Sequence, residues 1–481
     1  MKKITLLLFS LIIGALVLQS CEDEDDKAVP VNDFIWKGLN LYYLWQQDVP
    51  NLNDNKFSNQ SALNDFLATY GSPEELFESL LYKRGEVDRW SVIFSDFHVL
   101  ENALQGIVKS NGVEYGLLYT DSSQTTVFGY VRYILPDSDA ATKDIQRGDL
   151  FYAVNGTTLT ADNYRTLLGA DSYTLNLADY NSGTLTPNGQ EVALTKAQYA
   201  ENPVYLSTVL EQGSHKIGYL MYNGFYSDYD TQLNTAIGGL KAGGITDLVL
   251  DLRYNGGGSV RTAGYLASMI TGQFDGQVFT TQQWNEKLQA YYEENNAGSL
   301  VTKFSYKLSD DTGINKLNLS KVYILTSAST ASASELIINC LKPYINVVVI
   351  GDLTTGKNVG SVTLYDSPDY SSSNRDGSHT YAMQPIVLRT VNKEGFGDYS
   401  NGISPDIWRE EDMSNLGVLG SPTEPLLAAA IAQITGTDRS GNAPRHTHKL
   451  LKDSKSILRF GNEMYLDEMP EGSIGLNSTL K

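Results

Sequence analysis

The sequence predicts an α/β protein (α+β multidomain) with a helical N-terminal segment, a β-rich module and an α/β core. Three patterns support this fold class: helical spacing of apolar residues in 33–90, strand-like alternation within 105–200, and alternating buried strands and helices from about residue 205. A chain of 481 residues is expected to form about two to three domains. Its hydrophobic content of 41% is sufficient for real cores.

Composition excludes several classes of function. The 36 basic and 56 acidic residues give a net charge of −20, which argues against a nucleic-acid partner. The aromatic content of 10% argues against a disordered chain. Two cysteines, Cys21 and Cys340, form no disulfide framework, and the five histidines have no metal-binding spacing. We therefore expect no cofactor and no metal ion.

Residues 1–21 have the pattern of a targeting segment. Two lysines precede an apolar stretch at 4–18 that is too short for a confident membrane span. The sequence LQSC that ends at Cys21 resembles a bacterial lipoprotein box, which implies that Cys21 is lipidated and anchors the protein to a membrane. The alternative is an ordinary secretory peptide with an incidental cysteine.

An acidic tether at 22–32 follows Cys21. It is similar to the surface-export signal of Bacteroidetes lipoproteins, although it could be a solvated linker. The resemblance implies an outer-membrane lipoprotein of the cell envelope, either periplasmic or surface-exposed.

Residues 33–100 are predicted to form a helical domain. DFIWKGLNLYYLWQQ has the spacing of a packed helix, with Asn32 or Asp33 expected as its cap. SPEELFESLLYK predicts a second helix, with Ser72 as its cap and Pro73 in its first turn. His98 follows these helices, and a lone histidine near aromatic residues is expected to be structural rather than catalytic.

Residues 105–200 are predicted to form a small β-rich domain. SDAATKDIQRGDLFYAVNGTTL, at 138–159, resembles the most diagnostic part of a PDZ domain, with a turn at Asn155-Gly156. PDZ domains bind an extended chain end by adding it to a sheet edge. The resemblance implies a carboxylate-binding loop formed by Tyr115, Gly116, Leu117 and Leu118. A glycine before two leucines is also common at the start of any strand.

A glycine loop follows a buried strand in the core. DLRYN runs into Gly256, Gly257 and Gly258, where glycines permit close backbone approach. The backbone N–H groups of such a loop could form an oxyanion hole, whereas the alternative is a plain tight turn. A phosphate-binding loop is disfavoured because no GK[ST] follows the glycines.

The segment from Thr326 to Ser361 carries the residues with the clearest chemistry. Ser332 lies just before ELIINCLK and is expected at a helix N-terminus, where developing negative charge is favoured. The apolar run 347–350 predicts an interior strand, after which a loop carries Lys357. A serine nucleophile with a lysine base can cleave an amide. The alternatives are a simple helix cap and a solvated loop lysine.

Lys357 would have to be neutral to act as a base. Lowering the pKa of a lysine from ~10.4 to ~7 requires about 3.4 units, or roughly 4.6 kcal/mol. Burial in an apolar pocket is the usual cause. The sequence before Lys357 fits such burial, and the nearest acid in sequence is Asp352.

Several motifs together resemble the C-terminal processing (tail-specific) peptidases. TASASE, GDLTTGK with its lysine twenty-five positions after Ser332, DLRYNGGGS at 251–259 and NGISPD at 401–406 occur in the family's order, within residues 100–435. The resemblance implies a ClpP/crotonase-like serine endopeptidase core at 205–436. It assigns Ser332 as nucleophile, Lys357 as base, and the N–H groups of Gly258 and Ala333 as oxyanion donors. Its substrates would be proteins or peptides recognised by a C-terminal or unfolded segment.

One position departs from the family pattern. The family has a glutamine four residues after the lysine that orients it, and here that position is Ser361. This departure keeps open a non-catalytic peptide- or ligand-binding surface lipoprotein on the same fold. The C-terminal extension, 437–481, is polar, with His446 and His448 expected to be exposed. The sequence leaves open the oligomeric state and the role of the extension.

Overall fold

The computed structural model describes residues 30–181, 183–437, 448–458, 460–470 and 473. They form two compact units, one ending at Arg89 and one beginning at Trp90. The mixed α/β architecture and the helical N-terminal segment confirm the predicted fold class. The individual domain boundaries stay predictions. The predicted signal peptide, with Cys21, and residues 22–29 of the tether lie outside the described residues. Among the described residues, no helix is long and apolar enough to cross a membrane.

The first unit is helical. Its elements are α1 (Pro30–Tyr42), α2 (Gln60–Leu67) and α3 (Pro73–Ser79), with 3₁₀ turns at Gln46–Asp48 and Pro50–Leu52. Ser72 caps α3 as predicted and accepts a hydrogen bond from the Glu75 N–H at 3.2 Å. The predicted cap of the first helix is wrong, because α1 begins at Pro30 and includes Asn32 and Asp33.

The second unit contains the remaining elements. Its helices are α4 (Phe97–Leu104), α5 (Tyr164–Gly169), α6 (Asp230–Ala242), α7 (Val260–Thr271), α8 (Glu286–Asn296), α9 (Ala333–Leu341) and α10 (Pro425–Thr435). Shorter 3₁₀ turns lie at Ala140–Thr142, Ser227–Tyr229 and Ala297–Leu300. Its first strands are β1 (Val92–Phe94), β2 (Ile107–Ser110), β3 (Val113–Tyr119), β4 (Val127–Ile134), β5 (Leu150–Val154), β6 (Thr157–Thr158), β7 (Ser172–Asn181), β8 (Thr184–Thr195) and β9 (Ala197–Ala200).

The later strands of this unit include those of the two core sheets. They are β10 (Val204–Gln212), β11 (His215–Tyr222), β12 (Asp247–Asp251), β13 (Gly258–Ser259), β14 (Val278–Trp284), β15 (Val301–Lys303), β16 (Lys321–Thr326), β17 (Asn346–Gly351), β18 (Val359–Ser361), β19 (Leu364–Tyr365), β20 (Ala382–Gln384), β21 (Ile386–Val391), β22 (Ile407–Trp408), β23 (Leu450–Asp453) and β24 (Met464–Tyr465). Small sheets also form from β1-β20-β19 and from β2-β9.

The β-rich module has the sheet order β23-β3-β4-β5-β7-β8, with β6 paired to β5. The predicted turn lies between β5 and β6, where Asn155 and Gly156 have φ of 51° and 75°. Both values suit a tight hairpin turn. The edge strand β23 comes from the C-terminal extension and pairs with β3, Leu450 opposite Leu118. The extension is therefore part of the module's sheet, which the sequence analysis did not predict.

The core sheet has the order β10-β11-β12-β16-β17-β22 and is parallel from β11 to β22. Strand β17 lies between β16 and β22, which confirms the interior strand predicted from its apolar run. Helices α6, α7 and α9 pack on one face of the sheet, and α10 packs on the other. Coverage of both faces explains why the central strands are apolar throughout.

A second sheet of the core has the order β13-β24-β18-β21-β14-β15. Strand β24 lies between β13 and β18 and runs parallel to both, with Met464 opposite Gly258 and Tyr465 opposite Ser361. This sheet therefore places the C-terminal extension between the glycine loop and the strand that follows Lys357.

Candidate active site

Ser332 lies at the start of α9, as the sequence predicted. It is fully buried and has φ 65° and ψ −117°, a conformation that costs a non-glycine residue about 1–3 kcal/mol and that clusters at functional sites. Its N–H donates to the Glu335 carboxylate at 2.8 Å. Its Oγ has no hydrogen-bond partner among the described residues. The backbone of Ser332 is therefore strained, and within the described part of the chain its hydroxyl makes no complete hydrogen bond as a helix cap.

Glu335 connects the helix of Ser332 to the loop of Lys357. Its buried carboxylate accepts from the N–H groups of Ser332 (2.8 Å), Gly356 (2.7 Å) and Lys357 (2.8 Å) and from the hydroxyl of Thr354. Burial raises the pKa of the Glu335 carboxyl above its usual value, although these hydrogen bonds oppose the shift. The sequence analysis missed this residue. The Ser-x-x-Glu spacing of a capping box at 332–335 is the signal that could have identified it.

The glycine loop passes directly beside Ser332. Gly257 and Gly258 have φ of 111° and 137°, which favours glycine. A Cβ on Gly257 would lie 2.6 Å from Ser332 Cβ and 2.9 Å from the Ala333 nitrogen, and one on Gly258 would collide with the Phe225 carbonyl. Only glycine allows this approach. The loop therefore lies beside both Ser332 and the first amide of α9, where helix N–H groups lack intrahelical partners.

The N–H of Gly258 donates to the backbone carbonyl of Glu463, in the C-terminal extension. A Cβ on Gly257 would also collide with that carbonyl oxygen. The predicted oxyanion donor is therefore engaged by the chain itself.

Lys357 is fully buried, as its predicted role requires. Its Nζ donates to the Asn462 carbonyl at 2.8 Å and to Glu463 Oε2 at 2.6 Å, and it lies 5.1 Å from the centroid of the Trp90 ring. A carboxylate at this distance favours the charged ammonium. In the described part of the chain, Ser332 Oγ does not hydrogen-bond Lys357. Sequence reasoning missed Glu463, because it lies 106 positions from Lys357 and no local pattern connects them.

Ser361 is buried in β18 and faces the extension. Its Oγ donates to the Met464 carbonyl at 3.3 Å, and its own carbonyl accepts from the Leu466 N–H at 3.0 Å. Within the described residues, this hydroxyl contacts the extension and not Lys357.

The predicted peptide-binding residues lie on β3, between β4 and β23. Tyr115 and Leu117 belong to a buried cluster that also contains Tyr164 and Leu168 of α5, and Leu451 of β23 packs against it. A cavity of about 830 Å³ is lined by residues of the module, the glycine loop and the extension. It includes Tyr115, Gly258 and Glu463 among its lining residues.

Two of the histidines considered in the sequence, His98 and His448, have contacts elsewhere in the molecule. His98 is exposed and lies 3.5 Å from Glu101 on α4. His448 was expected to be exposed, but it is half-buried and contacts the Tyr180 hydroxyl at 3.1 Å and the Tyr119 carbonyl at 2.9 Å. That prediction is wrong because β23 brings His448 onto the module. His446 lies outside the described residues. In the described part of the chain, no group of three His, Cys, Asp or Glu side chains could hold a metal ion.

The fold and the site define a mixed α/β protein in which a strained serine, a glycine loop and a buried lysine meet at the end of a parallel sheet. Comparison with known families gives the class of protein. Residues 216–407 match the model of peptidase family S41, and residues 30–92 match the peptidase S41 N-terminal domain. The two matches together cover more than half of the chain, which therefore belongs to peptidase family S41.

Named relatives agree with the resemblance deduced from the motifs. The chain is 25% identical over 306 residues to a carboxyl-terminal-processing protease of Picosynechococcus sp., covering 63% of this chain and 65% of that protein. It is 27% identical over 271 residues to the chloroplastic carboxyl-terminal-processing peptidase 2 of Arabidopsis thaliana, covering 54% of this chain and 48% of that protein. The chain thus spans less than two thirds of the length of these curated relatives.

A solved structure is similar over most of the chain. A candidate S41 protease from Bacteroides fragilis aligns with a TM-score of 0.64 and 26% identity, covering 84% of this chain and 97% of that one. The resemblance to the C-terminal processing peptidases is thereby confirmed at the level of the family.

Proposed function

We propose that this protein is a serine endopeptidase that hydrolyses peptide bonds of protein substrates recognised by a C-terminal or unfolded segment. The observation that carries the proposal is the strained, buried Ser332 beside the glycine loop, connected through Glu335 to the loop of Lys357. Membership of a peptidase family supports it.

In the proposed mechanism, Lys357 in its neutral form removes the proton from the hydroxyl of Ser332. Ser332 attacks the peptide carbonyl, and the N–H groups of Gly258 and Ala333 bind the oxyanion, each donor being worth about 3–4 kcal/mol. Lys357 then protonates the leaving amine, and water releases the acyl group by the same route. No hydrogen bond from the described residues competes for the Ser332 hydroxyl, which supports its proposed role as the nucleophile.

Substrate binding would use two strand positions that the C-terminal extension holds in this structure. An extended peptide could add to β3 of the PDZ-like module in place of β23, and between β13 and β18 of the core in place of β24. Tyr115, Gly116, Leu117 and Leu118 would then receive the chain end. The signal-peptide pattern of 1–21 supports a further proposal, that lipidated Cys21 holds the enzyme on the outer membrane.

A non-catalytic peptide-binding protein is the second candidate. The observation that favours it is the Lys357–Glu463 ion pair, together with a Ser361 hydroxyl that faces the extension. A lysine held as an ammonium cannot accept the proton of Ser332.

Cleavage of an unfolded protein with an apolar C-terminal tail tests the two candidates. The full chain, purified in detergent, would be assayed from pH 6 to 10 beside Ser332→Ala and Lys357→Ala. Lys342→Ala, which removes an exposed lysine just after α9, is the matched control. Loss of cleavage in the first two variants alone, with a basic limb in the wild type, supports the Ser-Lys peptidase.

Two outcomes contradict the proposal. Cleavage that survives Ser332→Ala means that another residue is the nucleophile. The second outcome is that folded protein retaining Ser332 and Lys357 binds the tail tightly but does not cleave it. This outcome favours the non-catalytic binding protein.

A further inference from the structure

The C-terminal extension follows the path that a peptide substrate would take through the molecule. Its first described strand, β23, pairs antiparallel with β3, with Leu450 opposite Leu118 and Asp453 opposite Gly116. The side chain of Leu451 packs against the cluster that contains residues of both β3 and α5. The strand therefore occupies the sheet edge to which the module would add a peptide.

The chain then enters the core as β24. This strand lies between β13 and β18, and the Leu466 N–H donates to the Ser361 carbonyl at 3.0 Å. Main-chain hydrogen bonds to a neighbouring strand are the way in which an extended peptide binds by strand addition, and β24 has such a neighbour on each side. The extension thus occupies a strand position between the two segments proposed to bind substrate.

One residue of this segment engages both halves of the proposed chemistry. The backbone carbonyl of Glu463 accepts from Gly258, the proposed oxyanion donor. The Glu463 carboxylate pairs with Lys357 Nζ at 2.6 Å, and the Asn462 carbonyl accepts from the same ammonium at 2.8 Å. Meanwhile Ser332 Oγ remains without a partner among the described residues.

We propose that residues 460–467, defined here as the inhibitory segment, are an intramolecular inhibitor of the active site, and that Glu463 is the inhibitory residue. The inference rests on the proposed peptidase function. The segment fills the proposed substrate position, accepts a hydrogen bond from the proposed oxyanion donor and pairs a carboxylate with Lys357 Nζ. Because it is covalently attached, its effective concentration is of the order of mM, and external substrates must displace it.

Substitution of Glu463 tests the lysine contact. Glu463→Gln preserves the size of the side chain and removes its charge, whereas Glu468→Gln makes the same chemical change at an exposed position nearby. An opposite charge beside an ionisable group shifts its pKa by about 1–3 units, so loss of that charge should raise the neutral fraction of Lys357 about tenfold or more. We therefore expect Glu463→Gln to cleave the unfolded substrate about tenfold faster than the wild type, and Glu468→Gln to match the wild type.

A second variant tests the attachment of β23, which precedes the inhibitory segment in the extension, to the module. Leu451→Asp places a charge against the cluster of β3 and α5 and should weaken the pairing of β23. It should raise the cleavage rate without touching Lys357. Intact mass spectrometry of each purified chain shows whether the chain has been cut within the extension.

A binding measurement separates this inference from the proposed function. In chains that also carry Ser332→Ala, a fluorescent peptide with an apolar C-terminal tail should bind more tightly when Glu463→Gln or Leu451→Asp is present. One outcome is tighter binding in these variants while no chain that retains Ser332 cleaves the substrate. It upholds the inference that the inhibitory segment occupies the substrate position, and it refutes the peptidase. In another outcome, the wild type and both variants cleave at equal rates and bind with equal affinities. That outcome upholds the peptidase and overturns the intramolecular inhibitor. A wild-type chain found cut between Glu463 and Met464 also overturns it, because the segment is then a substrate.

Discussion

Replacement of Glu335 by glutamine is the sharpest test of how the site is held together. The carboxylate accepts from Ser332 and Lys357 on Oε2, and from Gly356 and Thr354 on Oε1. Glutamine has nearly the same shape but only one acceptor oxygen. If that oxygen takes the position of Oε2, the amide NH₂ faces the N–H of Gly356, donor against donor.

The expected loss of stability follows from this count of donors and acceptor oxygens. The Gly356 N–H loses a hydrogen bond to a charged acceptor, worth about 1.5–3 kcal/mol. The hydroxyl of Thr354 can rotate to accept from the new NH₂, so it adds little. A neutral amide costs less to bury than a carboxylate whose pKa is already raised by burial, and this offsets part of the loss. We expect Glu335→Gln to lower the free energy of unfolding by about 1–3 kcal/mol at pH 8.

Glu335→Ala should cost more. It leaves four donors without their acceptor, and at ~1 kcal/mol or more for each the loss is about 4 kcal/mol or greater. Urea unfolding gives the free energies. Hydrogen exchange of peptides that contain Ser332 and Lys357 shows whether the loss is local.

Glu394→Gln, a change at an exposed glutamate, is the control for these measurements. The reasoning is refuted if Glu335→Gln lies within about 0.5 kcal/mol of the wild type, the range of an ordinary surface substitution. It is also refuted if exchange near Ser332 and Lys357 is unchanged.

Three further predictions follow from single contacts. Gly257→Ala should reduce cleavage of the unfolded substrate at least about a hundredfold, because its Cβ would lie 2.6 Å from Ser332 Cβ; near-normal cleavage would contradict the geometry. Burial raises the pKa of Asp230 to about 7, so the folded state loses stability as pH rises from about 4 through 7. In urea unfolding, Asp230→Asn should therefore be more stable than the wild type by about 1–4 kcal/mol at pH 8. Below pH ~4 the two proteins should be equally stable. Although burial opposes the shift, Arg147 and Arg253 lower the pKa of Glu411 to about 2. The ionised Glu411 therefore stabilises the folded state above pH ~4.3, and this stabilisation is lost as pH falls towards 2. The destabilisation caused by Glu411→Gln should shrink over that pH range.

Local patterns predicted the parts of the fold that depend on neighbours in sequence. Apolar residues predicted β17, the helix signal after Ser332 predicted α9, and Asn155-Gly156 predicted the hairpin turn. Each of these depends on residues within one element. The predicted cap of α1 is wrong because Asn32 lies inside the helix, where its side chain donates to the Leu67 carbonyl at 3.1 Å.

The candidate site was only partly predictable for the same reason. The order of the motifs identified Ser332, Lys357 and the glycine loop, but nothing near Glu463 marked it as a partner of Lys357. Strand β24 has only two residues, too few for a periodic pattern, and its pairing depends on the path of the chain through the fold. The sequence near Lys357 contains no acid close to it, whereas the fold supplies one from the extension.

The pairing of β23 with β3 also determines the order in which the protein can be completed. More than 300 residues separate Leu118 from its partner Leu450. At ~5–20 residues per second, a ribosome needs roughly 15–70 s to synthesise the intervening chain. Throughout this time β3 has an unpaired edge, which makes a nascent chain prone to wrong pairing and aggregation. Strands β23 and β24, which are synthesised long after β3, therefore finish both the sheet of the module and the second core sheet. A chain truncated before β23 is left with the edge of β3 open permanently.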